Sequence, residues 1–362
     1  MAASIEDVAA KANVSISTVS RVLNRRNLVN PKTRQRVEDA IAELNYRPNV
    51  FARGLMLRKS EMMALVLPDL HGEFYSELIR GANSKAHELG YILVIASSGN
   101  GVDTGTLIED LQRRSIIDGL AVMLSERTAD ASALLSEFRL PVVLLDGAPD
   151  DRKLDSVVID QRSGAQAMMQ HLISDCHCRR IIFVGGLETN LDTIARLEAY
   201  RAAMDAAGLM IAPGDVVHLD YQYETAYEFA RKHVREWVGE GHCVFAANDE
   251  MASGIIDAAH AERLHVPRDL GVVGFDDTRI ARMTRPPFTT VHVPMSQMGA
   301  AAIDLLAQRL ADPERSPAFV SLQPQLVVRG SAAMTSPARR GTTAAPRSDG
   351  QRRGGKADAA SA

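Results

Sequence analysis

Residues 4–24 read SIEDVAAKANVSISTVSRVLN, a pattern typical of two short helices joined by a tight turn. Ser4 is a favourable N-cap residue, and Asp7 stands three positions later, where a capping box carries its acidic side chain. Asn13 tolerates the left-handed backbone of a tight turn better than most residues other than glycine. A second helix, Ile16–Asn24, follows the turn. The stretch predicts a helix-turn-helix, whose second helix can place side chains in the major groove of DNA.

The second helix has one apolar face and, near its start, side chains that point away from that face. The outward positions are Ile16, Ser17, Ser20 and Arg21. An arginine can donate two hydrogen bonds to guanine, a serine can hydrogen-bond to several base edges, and an apolar side chain can contact the methyl group of thymine. These four residues are therefore the predicted readers of base sequence.

A third helix is predicted from Asn30 as its N-cap and Pro31 at its first position, where proline is favoured. Apolar residues recur along it at helical spacing and close a small core: Val37, Ile41 and Leu44. Phosphate contacts position such a domain on DNA without reading sequence. We assign them to three polar residues: Asn24, Thr33 and Arg34.

Residues 5–60 resemble the LacI/GalR family of bacterial transcription repressors, and the resemblance continues through residue 330. The motifs that carry it include Asp7-Val8-Ala9, Thr18-Val19-Ser20-Arg21-Val22-Leu23-Asn24, Thr33-Arg34, and Tyr46-Arg47-Pro48-Asn49 with Ala52-Arg53-Gly54-Leu55. The chain departs from the family pattern at Asn13, where glycine is usual; the turn should survive this change.

The resemblance implies that residues 49–57 form a hinge helix only on operator DNA. It assigns DNA contacts to Asn49, Ala52 and Leu55, with Leu55 inserted as a wedge in the minor groove. Apolar wedges unstack base pairs and kink such sites. A nine-residue helix that contains Gly54 is marginal on its own, so it can act as a switch.

Charge is segregated along the 362 residues, which are enough for two or three domains. Residues 1–60 carry a net charge of +6, residues 61–330 carry −14, and residues 331–362 carry +4. A basic head neutralises phosphates, while an acidic body is repelled from DNA. The charge pattern therefore favours docking through the N-terminal domain alone.

The sequence predicts a cytoplasmic protein, because it has neither an apolar signal segment nor a run of about 20 apolar residues. Cysteines stand at 176, 178 and 243, too few for a disulfide framework. Cys176-His177-Cys178 suggests a metal site, but no second pair completes four ligands, so no metal is expected.

From residue 62 onward, short apolar runs alternate with helical segments. This alternation predicts two doubly wound α/β lobes with parallel sheets, which bind ligands beyond the carboxyl ends of their strands. The resemblance implies a fold like that of periplasmic sugar-binding proteins, with crossovers near 160 and 290. A last strand, Gln325–Arg329, would return to the sheet.

Polar and aromatic residues near the strand ends are the predicted effector-binding groups. Carboxylates and amides suit sugar hydroxyls, and ring faces can stack on a sugar or a base. The strand-end residues are Asp69, Asp146, Asn248 and Asp276; the aromatic ones are Phe74, Tyr75 and Tyr221. Arg196 lies where the family contacts its effector with an arginine. The expected ligand is a sugar or sugar derivative, with a purine-type corepressor as the alternative.

Two other classes of protein are alternatives to a regulator. One is a cytosolic sugar-binding module without DNA function, which would need an inactive headpiece. The other is a carbohydrate-acting enzyme, which the absence of a P-loop, a G-x-S-x-G elbow and an H-E-x-x-H motif disfavours. We therefore expect no enzyme activity.

The predicted domains are a headpiece at 1–48, a hinge and linker at 49–60, an effector-binding and dimerisation unit at 61–330, and a disordered tail at 331–362. Lobe 1 would comprise about 61–160 and 291–322, and lobe 2 about 161–290 and 323–330. The tail is poor in apolar side chains and lacks the leucine heptads of a tetramerising helix. A homodimer on a pseudo-palindromic operator is expected, since a twofold dimer imposes its symmetry on the site.

Overall fold

The computed structural model describes residues 3–24, 29–46, 59–98, 104–114, 116–124, 135, 138–146 and 154–332. The N-terminal part has three helices in its described residues: α1 (Ile5–Ala12), α2 (Ile16–Asn24) and α3 (Pro31–Glu43). Ser4 and Asp7 form the predicted capping box, and Asn13 ends α1 with a left-handed φ of 52°. A small core holds the helices together around Val8, Val19, Val22 and Val37. The helix-turn-helix prediction is confirmed.

The first lobe is built on a parallel sheet of strand order β11-β5-β4-β3-β1-β2, in which β11 (Phe319–Leu322) comes from late in the chain. Its elements in chain order are β1 (Met62–Leu67), α4 (Gly72–Glu88), β2 (Ile92–Ser97), α5 (Thr104–Arg114), β3 (Gly119–Met123), β4 (Val142–Leu145) and β5 (Asp155–Ile159). The apolar runs of β1, β3 and β4 are almost wholly buried, as expected for parallel strands covered on both faces. Most of the helix predicted between β3 and β4 lies outside the described residues.

The second lobe has a parallel sheet of order β7-β6-β8-β9. Its elements are α6 (Gln161–Gln170), which continues in one π-helical turn, β6 (Arg180–Gly185), α7 (Leu191–Ala206), β7 (Val216–His218), α8 (Tyr223–Trp237), β8 (His242–Ala246), α9 (Asp249–Ala261), β9 (Gly271–Val273) and α10 (Arg279–Met283). Its core, which includes Phe183, Tyr200 and Phe245, is part of an apolar cluster that continues into lobe 1 at residues such as Met63 and Leu65.

The chain then crosses back through β10 (Thr290–His292) to α11 (Met295–Ala311) and β11 (Phe319–Leu322), which joins the first sheet beside β5. Helices α4 and α11 pack very closely at Gly81. A Cβ on this residue would lie only 1.9 Å from the backbone oxygen of Ser296. Glycine is the residue that allows such an approach.

The last predicted strand differs from expectation. β12 (Gln325–Val327) is shorter than Gln325–Arg329 and pairs antiparallel with β10 in a separate two-stranded sheet, instead of joining a parallel sheet. The free edge of β9 is met instead by residue 331, since the backbone N–H of Val272 donates to the carbonyl of Ser331 at 3.0 Å. None of the described helices is long and apolar enough to cross a membrane.

Candidate functional site

The start of α2 presents the predicted base-reading residues. Ile16 is 47% exposed, Ser17 and Arg21 are exposed, and Ser20 is half-buried. The Oγ of Ser15 accepts the N–H of Thr18 at 3.2 Å and lies 2.8 Å from the hydroxyl of Ser17. The helix is therefore capped, and its outward face is available to a ligand as large as DNA.

The described residues that are predicted to contact phosphates lie on two different helices. Thr33 and Arg34 lie half-buried in the first turn of α3, and Asn24 is the last residue of α2. Asn49, Ala52 and Leu55 lie outside the described residues.

A cavity of about 180 Å³ lies between the two lobes. All eight residues predicted to bind an effector line it: Asp69, Phe74, Tyr75, Asp146, Arg196, Tyr221, Asn248 and Asp276. They come together because the carboxyl ends of β1, β3 and β4 face those of β7, β8 and β9 across the cavity. The volume is several times the roughly 30 Å³ that one water occupies in the liquid, so the cavity has room for a small molecule.

Lobe 1 contributes two carboxylates and two rings. Asp69 accepts hydrogen bonds from the N–H groups of Leu70 and His71, at 2.6 and 3.1 Å, and its Oδ1 lies 2.8 Å from Nδ1 of His71. Burial raises the pKa of Asp69, but these hydrogen bonds outweigh burial and lower it overall. Phe74 and Tyr75 meet edge to face, with ring centres 5.2 Å apart.

Asp146 follows β4, and its carboxylate accepts the N–H of Ile159 at 3.2 Å. Burial, and then the charge of Asp192 across the cavity, raise its pKa well above the usual range. The backbone of Asp146 has a φ of 53°, in the left-handed region. Aspartate adopts this region more readily than most residues.

Arg196, from α7 in lobe 2, is 2% exposed and held by the protein on all sides. Its Nε and Nη2 donate to Oε1 of Gln161 at 3.2 and 2.8 Å, and its Nη1 donates to the carbonyl of Ala247. Its guanidinium lies 4.0 Å over the ring of Phe275. The arginine is thus fixed in orientation before any ligand binds.

Tyr221 and Asn248 line the cavity through side chains that also support the fold. The hydroxyl of Tyr221 lies 2.6 Å from that of Thr193 and donates to Asn190 at 3.0 Å. The side chain of Asn248 caps α9, accepting the N–H of Met251 at 2.9 Å, and donates to the carbonyl of Tyr221 at 2.9 Å. Tyr221 has a φ of 68°, a strained conformation for a bulky residue.

Asp276 follows β9 and is 7% exposed. Its backbone N–H donates to Val291 at 2.8 Å, which ties this wall of the cavity to β10. Burial raises the pKa of its carboxyl well above the usual range; Arg196 opposes this, and the neighbouring carboxylates reinforce it.

Sequence reasoning missed several cavity residues, of which Asp192 and Glu250 matter most. Asp192 stands in the first turn of α7, and its Oδ2 accepts from Nη2 of Arg196 at 3.4 Å. Burial raises the pKa of Asp192, and the charge of Arg196 offsets this only in part. Glu250 stands in the first turn of α9. Neither follows a strand directly, which is why the strand-end signal did not find them.

The three cysteines are buried in lobe 2, away from the cavity. The imidazole Nε2 of His171, rather than the neighbouring His177, lies 3.4 Å from Sγ of Cys176. Within the described residues, no group of three or more histidine, cysteine, aspartate and glutamate side chains is arranged to hold a metal ion.

Comparisons with known proteins agree with both halves of this architecture. Residues 4–49 match the model of the bacterial regulatory proteins of the lacI family, and residues 169–332 match a periplasmic binding protein-like domain. The ribose operon repressor of Escherichia coli K12 is 34% identical over 332 residues, which cover 91% of this chain and all of that protein.

Two solved structures are similar over nearly the whole chain. The lac repressor dimer bound to operator and an anti-inducer is 26% identical with a TM-score of 0.82, covering 92% of this chain and 100% of that one. The transcriptional regulator CelR in complex with cellobiose is 30% identical with a TM-score of 0.68, covering 91% of this chain and 99% of that one. The chain therefore belongs to the lacI family of bacterial regulatory proteins and is a DNA-binding transcriptional regulator.

Proposed function

We propose that the protein is a homodimeric repressor of carbohydrate-metabolism genes and that a small, sugar-like ligand in the inter-lobe cavity sets its affinity for operator DNA. The observation that carries this proposal is the convergence of Asp69, Asp146, Arg196 and Asp276 on one cavity beside aromatic rings. Carboxylates accept hydrogen bonds from hydroxyl groups, and rings cover the apolar face of a sugar. The ligand acts by binding one arrangement of the lobes better than the other.

The proposed protein acts without catalysis and without a resident cofactor, in the cytoplasm where operator DNA lies. Two headpieces of the dimer read the two halves of a pseudo-palindromic site through Ile16, Ser17, Ser20 and Arg21. Leu55 of each hinge enters the minor groove. The names of the similar proteins, a ribose operon repressor and a regulator bound to cellobiose, support a sugar as the ligand.

The experiment is a titration of the full-length protein onto a pool of palindromic DNA sites, with and without panels of sugars and purines. One sugar should change the affinity for the selected operator by about tenfold, a normal coupling energy. The sign of the change tells whether the ligand is an inducer or a corepressor. A response to a purine but to no sugar would show that the effector is of the alternative class, a purine-type corepressor.

The same titration tests the hinge. Leu55→Ala should lose affinity for the selected operator and keep its affinity for unrelated DNA. Leu187→Ala is the matched control, because Leu187 is 52% exposed in the loop before α7. Failure of the wild-type protein to bind any DNA would favour a sugar-binding module without DNA function.

A further inference from the structure

The cavity is strongly acidic. Among the described residues its lining carries six carboxyl groups against one guanidinium and one imidazole; the carboxyl groups belong to Asp69, Asp146, Asp192, Asp220, Glu250 and Asp276. The imidazole, of His71, is exposed and already paired with Asp69 at 2.8 Å. Arg196 is the one guanidinium in this lining, and the carboxyl groups of Asp146, Asp192 and Asp276 all interact with it electrostatically.

Arg196 has little left to offer a negatively charged ligand. Each of its three nitrogens already donates to a protein acceptor, on Gln161, Ala247 or Asp192, and Phe275 covers one face. A phosphate or carboxylate would have to displace these partners. It would also have to enter a space where like charges repel it at short range.

Acceptors, by contrast, are left without donors. Asp276 is 7% exposed and lines the cavity, and no described residue donates a hydrogen bond to its carboxylate, whose oxygens open onto the cavity. Among the described residues, the N–H of Ile159 alone donates to the carboxylate of Asp146, and it reaches one oxygen. Acceptors that face a cavity are satisfied by what fills it, so a ligand with several donors is the natural partner of these oxygens.

Two further observations point to positive charge on that ligand. Burial raises the pKa of Asp146, Asp192 and Asp276, and repulsion from neighbouring carboxylates adds to this at Asp146 and Asp276, so a bound cation would stabilise their ionised forms. The rings of Phe74 and Tyr75 add faces that attract an ammonium group.

We infer that the effector carries a protonated amine on a hydroxyl-rich frame, as an amino sugar does, and that the cavity rejects phosphorylated and carboxylated sugars. This inference rests on the proposed function, because it takes the cavity as the effector site.

The test measures binding to the full-length protein by calorimetry with matched sets of ligands. Each set holds one sugar frame constant in three forms: the neutral sugar, the amino sugar and the phosphate ester. Glucose, galactose and mannose supply the frames, together with glucosamine, galactosamine and mannosamine. In the frame that fits, the amino form should bind at least about tenfold more tightly than the neutral form, since an opposite charge nearby is worth that factor or more. The phosphate ester should not bind.

Variants then test the origin of the preference. Asp192→Asn and Asp276→Asn each remove one negative charge with little change of shape, and each should reduce the ratio of amino to neutral affinity by about tenfold. Asp205→Asn is the matched control, because Asp205 is exposed on the same helix as Asp192 and lies outside the cavity. It should leave the ratio unchanged.

Equal or tighter binding of a neutral sugar or a phosphate ester would overturn the inference and leave the sugar-effector proposal standing. A preference for the amino form that persists in both variants would also overturn it. If no member of any set binds, both this inference and the sugar part of the proposed function fail.

Discussion

At the scale of the residue, Asp249 shows how a buried carboxyl group holds the cavity wall. Its Oδ2 accepts from the N–H and hydroxyl of Thr278 at 2.7 and 3.0 Å, and its Oδ1 accepts from the hydroxyl of Thr290 at 2.6 Å. Thr278 lines the cavity and Thr290 begins β10. Burial raises the pKa of Asp249 from 3.8 to about 7, and the hydrogen bonds offset only part of this.

This pKa gives a pH dependence with a definite sign. Between about 3.8 and about 7 the folded protein keeps a proton that the unfolded chain releases, so the Asp249 contribution to stability falls as pH rises. Asp249→Asn stays uncharged and lacks this loss. Thermal unfolding across that window should show the melting temperature of the variant gaining on that of the wild type as pH increases. A difference that does not change with pH would contradict the assignment.

Arg21 and Arg34 should separate base reading from phosphate contact. Arg21→Ala should cost about 1–3 kcal/mol on the selected operator and little on unrelated DNA. Arg34→Ala should weaken binding to both by a similar factor and reduce the salt slope by about one. Fluorescence anisotropy over a range of salt concentrations measures both effects. Equal behaviour of the two variants would show that the assigned roles are wrong.

At the scale of the element, helices α4 and α10 meet beside the cavity, which Phe74 and Thr278 line. The Oε2 of Glu73, in the first turn of α4, accepts the backbone N–H of Arg279 at 2.8 Å, and the Arg279 Nε lies 3.8 Å away. Glu73 belongs to lobe 1 and Arg279 to lobe 2. The contact therefore depends on how closely the lobes approach each other.

Glu73→Ala should weaken ligand binding by several fold, since a hydrogen bond of this kind is worth about 1 kcal/mol. Glu88→Ala is the control, because Glu88 lies at the other end of the same helix and pairs with Lys85 of that helix. Calorimetric titration with the identified effector compares the two. Unchanged affinity in Glu73→Ala would mean that the contact does not stabilise the closed cavity.

Strand β3 connects the cavity to the segment that enters from the DNA-binding region. At its start, Asp118 accepts from the N–H and hydroxyl of Ser60 at 2.6 and 3.0 Å and from the N–H of Glu61 at 2.9 Å. At its other end, Met123 and Leu124 line the cavity. One end of the strand therefore lies at the cavity, and the other lies beside the segment that leads to the DNA-binding region.

Asp118→Ala should reduce the effect of ligand on operator binding by about threefold or more, within the range of coupling changes of 0.5–2 kcal/mol, and should leave ligand affinity itself unchanged. Asp110→Ala, on the surface of α5 and paired with Arg113 of that helix, should change neither. The measurement is the ratio of operator affinities with and without ligand. If Asp118→Ala shows the same ratio of operator affinities as the wild type, this contact is not part of the coupling.

The sequence patterns predicted the elements better than their contacts across the lobes. The βα alternation and the residues after each strand were enough to predict a site that contains Asp69, Asp146 and Asp276, because the carboxyl ends of parallel strands share one edge. Asp192 and Glu250 stand in helix turns, and their place in the cavity depends on how the two lobes face each other. Local periodicity carries no information on that geometry.

At the scale of the whole molecule, a basic headpiece is joined to an acidic body that carries an acidic cavity. Charge separation directs the headpiece to phosphates, and the cavity selects a ligand that brings donors. The headpiece and the cavity are connected to the same two lobes. If ligand and operator each favour a particular arrangement of those lobes, the two affinities are linked, and the linkage must be reciprocal.

The most direct test is therefore to measure effector affinity twice, for the free protein and for the protein saturated with its operator, and to measure operator affinity with and without saturating effector. The account predicts that both ratios differ from one by the same factor, about five- to 150-fold. An operator affinity that stays constant at saturating effector would contradict the central claim that the cavity controls DNA binding.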